Sequence, residues 1–259
     1  MSTQVNWSDK TVLITGASSG IGEALAVEFG RRGARVGLLA RRAEVLREVV
    51  AKVEAAGGRA FAVAVDVRDA GEVRAASAKV REQFGEIDVL VANAGIGEIT
   101  LAREFDIEVV TQVLSVNVLG AMNSVAAVLP EMIARGSGQL VGISSLAAYR
   151  GFPGSGAYCA SKAALSTFFE SLRAELRPRG IYVTTIHPGF IDTPMTRGRN
   201  QKMPFLLEPE RAAKMMLRAI EARRRTYAFP WQLAAISRVI KWLPTALYDR
   251  MLANATLRE

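Results

Sequence analysis

The amino-acid sequence predicts an α/β protein built on one doubly wound parallel sheet of about seven strands, with helices on both faces. Three observations carry that prediction. Short apolar, β-branched runs alternate with longer helical patterns along most of the chain. Each run is apolar almost without a break, as expected of strands covered on both faces. The 259 residues, 50% of them hydrophobic, are enough to bury one large core.

In chain order the strands fall at TVLIT (11–15), ARVGLL (34–39), AFAVAV (60–65), IDVLVAN (87–93), GQLVGIS (138–144) and IYVTTI (181–186). RTYAF (225–229) is a weaker seventh. Between them lie amphipathic stretches such as IGEALAVEFGRRG and AEVLREVVAKVEAAGG. The second closes on a Gly pair suited to a helix C-cap. No internal repeat, low-complexity segment or linker interrupts the pattern, so a single domain is expected.

Composition narrows the setting. One cysteine permits no internal disulfide and no cysteine-rich metal site, which suits a reducing compartment. The start MSTQVNWSDK lacks a basic segment followed by an apolar run, and no stretch holds 18 uninterrupted apolar residues. A cytoplasmic protein with no metal is therefore expected. The net charge of +8 is unevenly placed. Residues 1–196 hold 20 basic and 20 acidic side chains, whereas residues 197–259 hold 13 basic and 5 acidic ones. The basic residues are not interleaved with a stacking platform, which argues against nucleic acid.

The first strand runs into TGASSGIG, where Gly16, Gly20 and Gly22 precede a helix. Such a loop lets the backbone turn tightly and approach a pyrophosphate at the helix N-terminus, although strand-to-helix loops also use glycine merely to turn. Asn93, Ala94 and Gly95 end the fourth strand, at the sheet edge where open α/β sheets bind ligands. Asp66 follows the third strand and either faces an adenine or caps the next helix. With one histidine in the chain, the better proton carrier is Tyr158 of GAYCASK, four residues before Lys162 and on the same helical face. A nearby ammonium favours the phenolate and brings the phenol toward a working range. By itself, however, a Tyr–Lys pair is an ordinary helix feature.

TGASSGIG, NAG at 93–95, SVN at 115–117, Ser145 and YCASK at 158–162 resemble, in order and spacing, the motifs of the short-chain dehydrogenase/reductase family, over roughly residues 8–230. The resemblance implies a Rossmann-type fold and an Asn117, Ser145, Tyr158, Lys162 catalytic set. Ser145 would bind the substrate oxygen, with Ser144 the competing assignment. Asn117 would kink its helix and hold a water linking Lys162 to solvent; the alternative is a surface helix Asn. The cofactor would lie on Gly16, Ser18, Ser19, Gly20, Ile21, Gly22, Asp66, Val67, Asn93, Ala94, Gly95, Tyr158 and Lys162. Pro188, Gly189, Ile191 and Thr193 would meet its nicotinamide end. His187 reads as a packed strand-end residue and Cys159 as a buried filler. Residues 1–230 would form the dinucleotide-binding catalytic body and 231–259 a helical extension.

NAD-preferring relatives place a carboxylate at the end of the second strand. GLLARR has Ala40 there, followed by Arg41 and Arg42, which predicts NADP(H) with Arg41 as the main 2′-phosphate ligand. The alternative is a solvated arginine pair. The expected reaction is reduction of a ketone or aldehyde to an alcohol, with oxidation of an alcohol as the runner-up. A silent NADP(H)-binding regulatory protein is the reading from another class. Two segments, 146–156 and 190–207, bring Tyr149, Phe152, Phe190, Met195, Met203 and Phe205 toward the opening, which favours a lipophilic substrate.

The tail departs from common relatives, which end in a short segment packed inside a tetramer. Leu233, Ile236, Val239, Ile240 and Leu243 fall on one predicted helical face. Pro244 interrupts the helix, and a second helix carries Leu247, Tyr248, Met251 and Leu252 on one side. Two readings stay open. The face packs on its own domain or on a partner subunit of a homodimer or homotetramer, or it rests peripherally on an anionic membrane surface through residues 197–259.

Overall fold

The computed structural model describes residues 5–197 and 202–256. Residues 198–201 of the predicted mouth segment, 257–259 of the predicted tail and 1–4 lie outside the described residues. In chain order the first half comprises β1 (Thr11–Thr15), α1 (Gly20–Gly30), β2 (Arg35–Ala40), α2 (Ala43–Ala55), β3 (Arg59–Ala64), α3 (Ala70–Phe84), β4 (Val89–Ala92), α4 (Ile107–Leu114) and α5 (Gly120–Arg135). The second half comprises β5 (Gly138–Ile143), α6 (Gly156–Leu176), β6 (Ile181–Pro188), α7 (Pro209–Glu221), β7 (Thr226–Phe229), α8 (Trp231–Trp242) and α9 (Thr245–Thr256).

All seven strands are parallel, in the order β3-β2-β1-β4-β5-β6-β7. Buried residues of α1, α2 and α7 form the core on one face, and those of α3, α5 and α6 form it on the other. This is a single Rossmann-type α/β domain. The weak seventh strand forms and pairs with β6. The Gly pair after α2 ends that helix as expected: Gly57 has φ +101°, and Gly58 N–H reaches back to the Val53 carbonyl at 3.1 Å. Chain order reverses between β1 and β4, so their carboxyl ends diverge into a crevice.

β4 is shorter than the predicted 87–93: Asp88 still bonds Thr11 O and Gln139 N–H through its main chain, each at 2.9 Å, and at the other end Asn93 turns its N–H to a side chain. Asp88 accepts from Thr11 N–H at 2.9 Å and from Lys10 at 2.8 Å, and Asn93 N–H donates to Thr15 Oγ1 at 3.1 Å. α4 and α5 are one continuous helix joined by a wide π-type turn, Ser115–Leu119. This 29-residue rod is long and apolar enough to cross a membrane, yet half of its apolar window is buried in the fold. It is a core helix, packed on α3 and α6.

The tail breaks at Pro244 as expected, but its apolar residues do not share one face. Leu233, Ala234, Ile240 and Leu243 turn toward the protein, with Leu233 against Gly189, where an added Cβ would lie 2.9 Å from its Cδ1. Ile236 and Val239, assigned from sequence to that same face, are exposed, as are Leu247 and Met251 beside the buried Tyr248. The helices are apolar on two sides, and only one side has the body to pack against.

Candidate active site

Gly16 leaves β1 with φ +66°. A Cβ there would sit 2.7 Å from Ala94 Cα, and one on Gly22 would sit 2.3 Å from the Gly16 carbonyl oxygen. Only glycine lets this loop fold so tightly against the end of β4. The loop is held by two residues acting together. Asn93 Nδ2 donates to the Thr15 and Gly16 carbonyls at 3.0 and 3.2 Å, while Thr15 Oγ1 accepts from the Asn93 and Ala94 N–H groups, each at 3.1 Å. Ser19, at the N-cap of α1, makes no side-chain capping bond, so the first-turn N–H groups of α1 are left for an anion.

A cleft of about 300 Å³ opens here, walled by the loop from Gly16 to Ile21, by Arg41 and Arg42, by Asp66 and Val67, and by Asn93 to Gly95. Tyr158, Lys162 and Thr193 close its other side, so most of the predicted residues converge. A backbone cradle with a helix N-terminus at its base fits a dinucleotide. Six predicted residues do not line the cleft: Asn117 and Ser145 of the catalytic set, with Ser144 on the wall instead, and four of the cofactor set. Gly22 works behind the loop, and Pro188 and Gly189 lie at the β6–β7 edge, where Gly189 N–H donates to Phe229 O at 2.7 Å. Ile191 is buried in the core. Pro194 and Met195 stand on the wall in their place. A wider depression of about 690 Å³ between α1, α2 and α7 shares only Ser19, Gly20 and Pro194 with the cleft.

Around the cleft each side chain has a definite commitment. Arg42 Nη2 donates to Ser18 Oγ at 3.1 Å, whereas Arg41 is exposed on the rim. Asp66 is not the cap of α3; that role falls to Asp69, which accepts from Glu72 N–H at 2.9 Å. Asp66 instead takes a forked bond from Arg68 at 2.7–3.1 Å, which holds its carboxyl below the usual range. Val67 packs against Gly120, and its carbonyl accepts from Asn123 Nδ2 at 2.9 Å.

Tyr158 and Lys162 project from the first turns of α6, with Lys162 Nζ 5.7 Å from the Tyr158 ring centroid. Lys162 is buried, donates to the Ile143 carbonyl at 2.9 Å, and has its pKa lowered to about 8 by burial. Ser144 hydrogen-bonds the Lys162 carbonyl at 2.9 Å and Ser166 Oγ at 2.8 Å, so its hydroxyl is engaged in packing α6 onto β5. Ser145 is half-buried. Its Oγ accepts from Ala147 N–H at 3.1 Å, leaving its own proton to donate.

Asn117 is no surface residue. It is fully buried inside the π turn, accepting from Ile96 N–H at 2.8 Å and donating to Ile96 O and Ser161 Oγ, each at 2.9 Å. His187 is buried, stacked on Tyr149 with centroids 5.3 Å apart, and burial lowers its pKa. Cys159 is buried as expected, and burial pushes its thiol up.

Sequence reasoning missed three participants. Thr15 braces the glycine loop, and its only signal was a hydroxyl ending an apolar strand. Arg150 and Tyr248 join the segment after Ser145 to the tail: Arg150 Nη1 donates to the Lys241 and Leu243 carbonyls, both at 3.0 Å, and the Tyr248 hydroxyl donates to Gly151 O.

Known proteins resemble this chain in sequence and fold. A family profile described as short chain dehydrogenase matches residues 10–204. An uncharacterized oxidoreductase of Myxococcus xanthus is 43% identical over 242 residues, covering 93% of this chain and 96% of the relative. A 2-(R)-hydroxypropyl-CoM dehydrogenase of Xanthobacter autotrophicus is 41% identical over 194 residues, covering 73% and 78%. The crystal structure of a levodione reductase superposes with a TM-score of 0.81 at 27% identity, covering 88% of this chain and 98% of that one. The chain belongs to the short-chain dehydrogenase family of oxidoreductases.

Proposed function

We propose that this oxidoreductase uses NADP(H) to reduce a lipophilic ketone or aldehyde to its alcohol. Members of the family use a nicotinamide cofactor, NAD or NADP, and the choice between them rests here on the end of β2. Ala40 stands where a carboxylate would meet a ribose 2′-hydroxyl, and Arg41 and Arg42 both border the cleft. A guanidinium offers a planar fork to a 2′-phosphate, and no carboxylate at that position repels it.

When bound, the nicotinamide supplies the hydride. The chain supplies the rest. Ser145 donates to the substrate oxygen and steadies the charge that develops on it. Tyr158 gives that oxygen a proton, and the Lys162 ammonium favours the phenolate left behind. Asn117 has its side chain committed to Ile96 and Ser161, so it offers the main-chain carbonyl of the wide turn to a water linking Lys162 with solvent. The substrate's apolar character is supported by Met195 on the cleft wall and by exposed Phe205 and Leu206 in the same segment.

The test is kcat/KM with NADPH and NADH over a panel of carbonyls, repeated in Arg41→Ala. A preference for NADH in the native enzyme overturns the cofactor choice. The oxidative direction is the second reading, since one relative is named a dehydrogenase and one structural neighbour a reductase. Measuring both directions on the same substrate pair decides it. A homodimer or homotetramer belongs to the same proposal: the α4–α5 rod leaves Ile107, Leu119 and Ile133 exposed, and sedimentation equilibrium reads the state directly.

A further inference from the structure

α8 and α9 present two apolar sides, and among the described residues the outer one has nothing over it. Trp231, Val239 and Trp242 are 74%, 68% and 81% exposed and lie on one stripe of α8, spaced by eight and eleven residues from the first. Leu247 and Met251 continue the apolar surface on α9. Arg238 and Lys241 edge the stripe on its side toward the body, Arg238 hydrogen-bonded to Tyr149 and Lys241 Nζ 5.8 and 5.9 Å from the Tyr149 and Trp242 rings. α8 carries no acidic residue, and Asp249 is the single acid between residues 231 and 256. An aromatic and aliphatic stripe edged by cations is the pattern of a helix lying in a lipid interface.

The surface is continuous with the substrate mouth. Arg150 and Gly151, in the segment that follows Ser145, are bonded to the α8 C-terminus and to Tyr248. Three residues on, the Gly154 carbonyl accepts from Thr100 N–H at 2.9 Å, which brings exposed Ile99 to the same rim. A flat apolar partner seated on the tail therefore also borders the opening of the cleft.

Charge decides between occupants. A second copy related by a two-fold axis would lay this stripe against the same stripe, with no acid on α8 to pair Arg238 and Lys241. A protein partner also disfavours lysine in a contact core. An anionic bilayer accepts both features, taking the indoles at its interface and the cations at its headgroups. We infer that α8 and α9 dock this enzyme on an anionic membrane surface, with the mouth of the catalytic cleft facing the lipid from which a lipophilic substrate enters. The docking surface stands apart from the proposed reaction, and its test needs no turnover.

The chain has three tryptophans, and they make the experiment selective. Trp7 is buried with its Nε1 bonded to Glu221, so a change in emission reports Trp231 and Trp242. Titration with phosphatidylcholine vesicles holding about a third phosphatidylglycerol should shift emission to the blue. Binding should weaken by about tenfold or more on neutral vesicles, and likewise when salt approaches ~1 M and the Debye length falls to about 3 Å. Trp231→Ser/Trp242→Ser changes exposed positions only, and circular dichroism checks its fold. This double variant should lose vesicle co-sedimentation. No binding to anionic vesicles overturns the inference, as does equal binding to neutral ones. A dimer in solution that the same double substitution dissociates also overturns it, assigning the face to a second copy.

Discussion

Replacing Lys162 with methionine should stabilise the cofactor-free protein while abolishing turnover. The ammonium is buried, and its pKa falls from an ordinary 10.5 to about 8 because burial disfavours the charge. At about 1.4 kcal/mol per tenfold change in acidity, the folded state carries a cost of roughly 3 kcal/mol at neutral pH. Methionine keeps the length and removes that cost. It also removes the 2.9 Å bond to the Ile143 carbonyl, which a charged donor makes worth about 1.5–3 kcal/mol. The net gain at pH 7 is about 1 kcal/mol, or roughly 2–4 °C in Tm for a chain of this size. The sign with pH is the sharper readout. Between pH 8 and 10.5 the unfolded chain holds the Lys162 proton and the folded chain has released it, so native stability rises with pH across that window. The variant lacks this rise, so the native protein should overtake it before pH 10.5. Denaturant titrations of both apoproteins at pH 7, 8.5 and 10 measure the difference. A variant less stable at pH 7 by more than about 1 kcal/mol, with a gap flat in pH, would refute the buried-charge argument.

The sheet was legible because parallel strands covered on both faces must be apolar throughout, and β1, β2 and β5 follow their runs to within a residue. Strand ends were less legible, since at the carboxyl end of β4 Asn93 N–H bonds the Thr15 side chain, 78 residues distant in sequence. The glycine loop, Tyr158 and Lys162 were readable because local spacing fixes which residues share a turn. Asn117 was placed in a helix, yet its π turn follows from bonds to Ile96 and Ser161, which no periodicity records.

The tail misled for a related reason. A helical wheel groups apolar residues by angle, but packing selects only those facing the body. Ile236 and Val239 belong by angle to the wheel's apolar arc and by position to the solvent side. The same limit hid Arg150, whose partners lie about ninety residues onward in a helix C-terminus.

Three further outcomes follow from the same contacts. Tyr158→Phe should fold and bind NADPH, yet lose nearly all turnover; retained activity would remove the phenol from the mechanism. Arg41→Ala should cut kcat/KM for NADPH by about ten- to a hundredfold and leave NADH unchanged, which coupled spectrophotometric assays resolve. Arg150→Ala should loosen one region rather than the whole fold. Its guanidinium closes the α8 C-terminus through the Lys241 and Leu243 carbonyls and lies 4.3 Å over the Tyr248 ring, whose hydroxyl bonds Gly151 O. The bonds to Leu243 O and from Tyr248 are partly buried and that to Lys241 O is exposed, so the loss should be about 2 kcal/mol, confined to residues 145–156 and 238–252. Hydrogen exchange should accelerate there by about thirtyfold and stay unchanged in α1. The carbonyl KM should rise while NADPH affinity holds, because Arg150 borders the segment after Ser145 and not the nucleotide cleft. Arg150→Lys, which keeps the charge but loses the fork, should restore part of the KM. Uniform destabilisation with an unchanged KM would mean that the tail merely covers the body and has no hold on the catalytic loop.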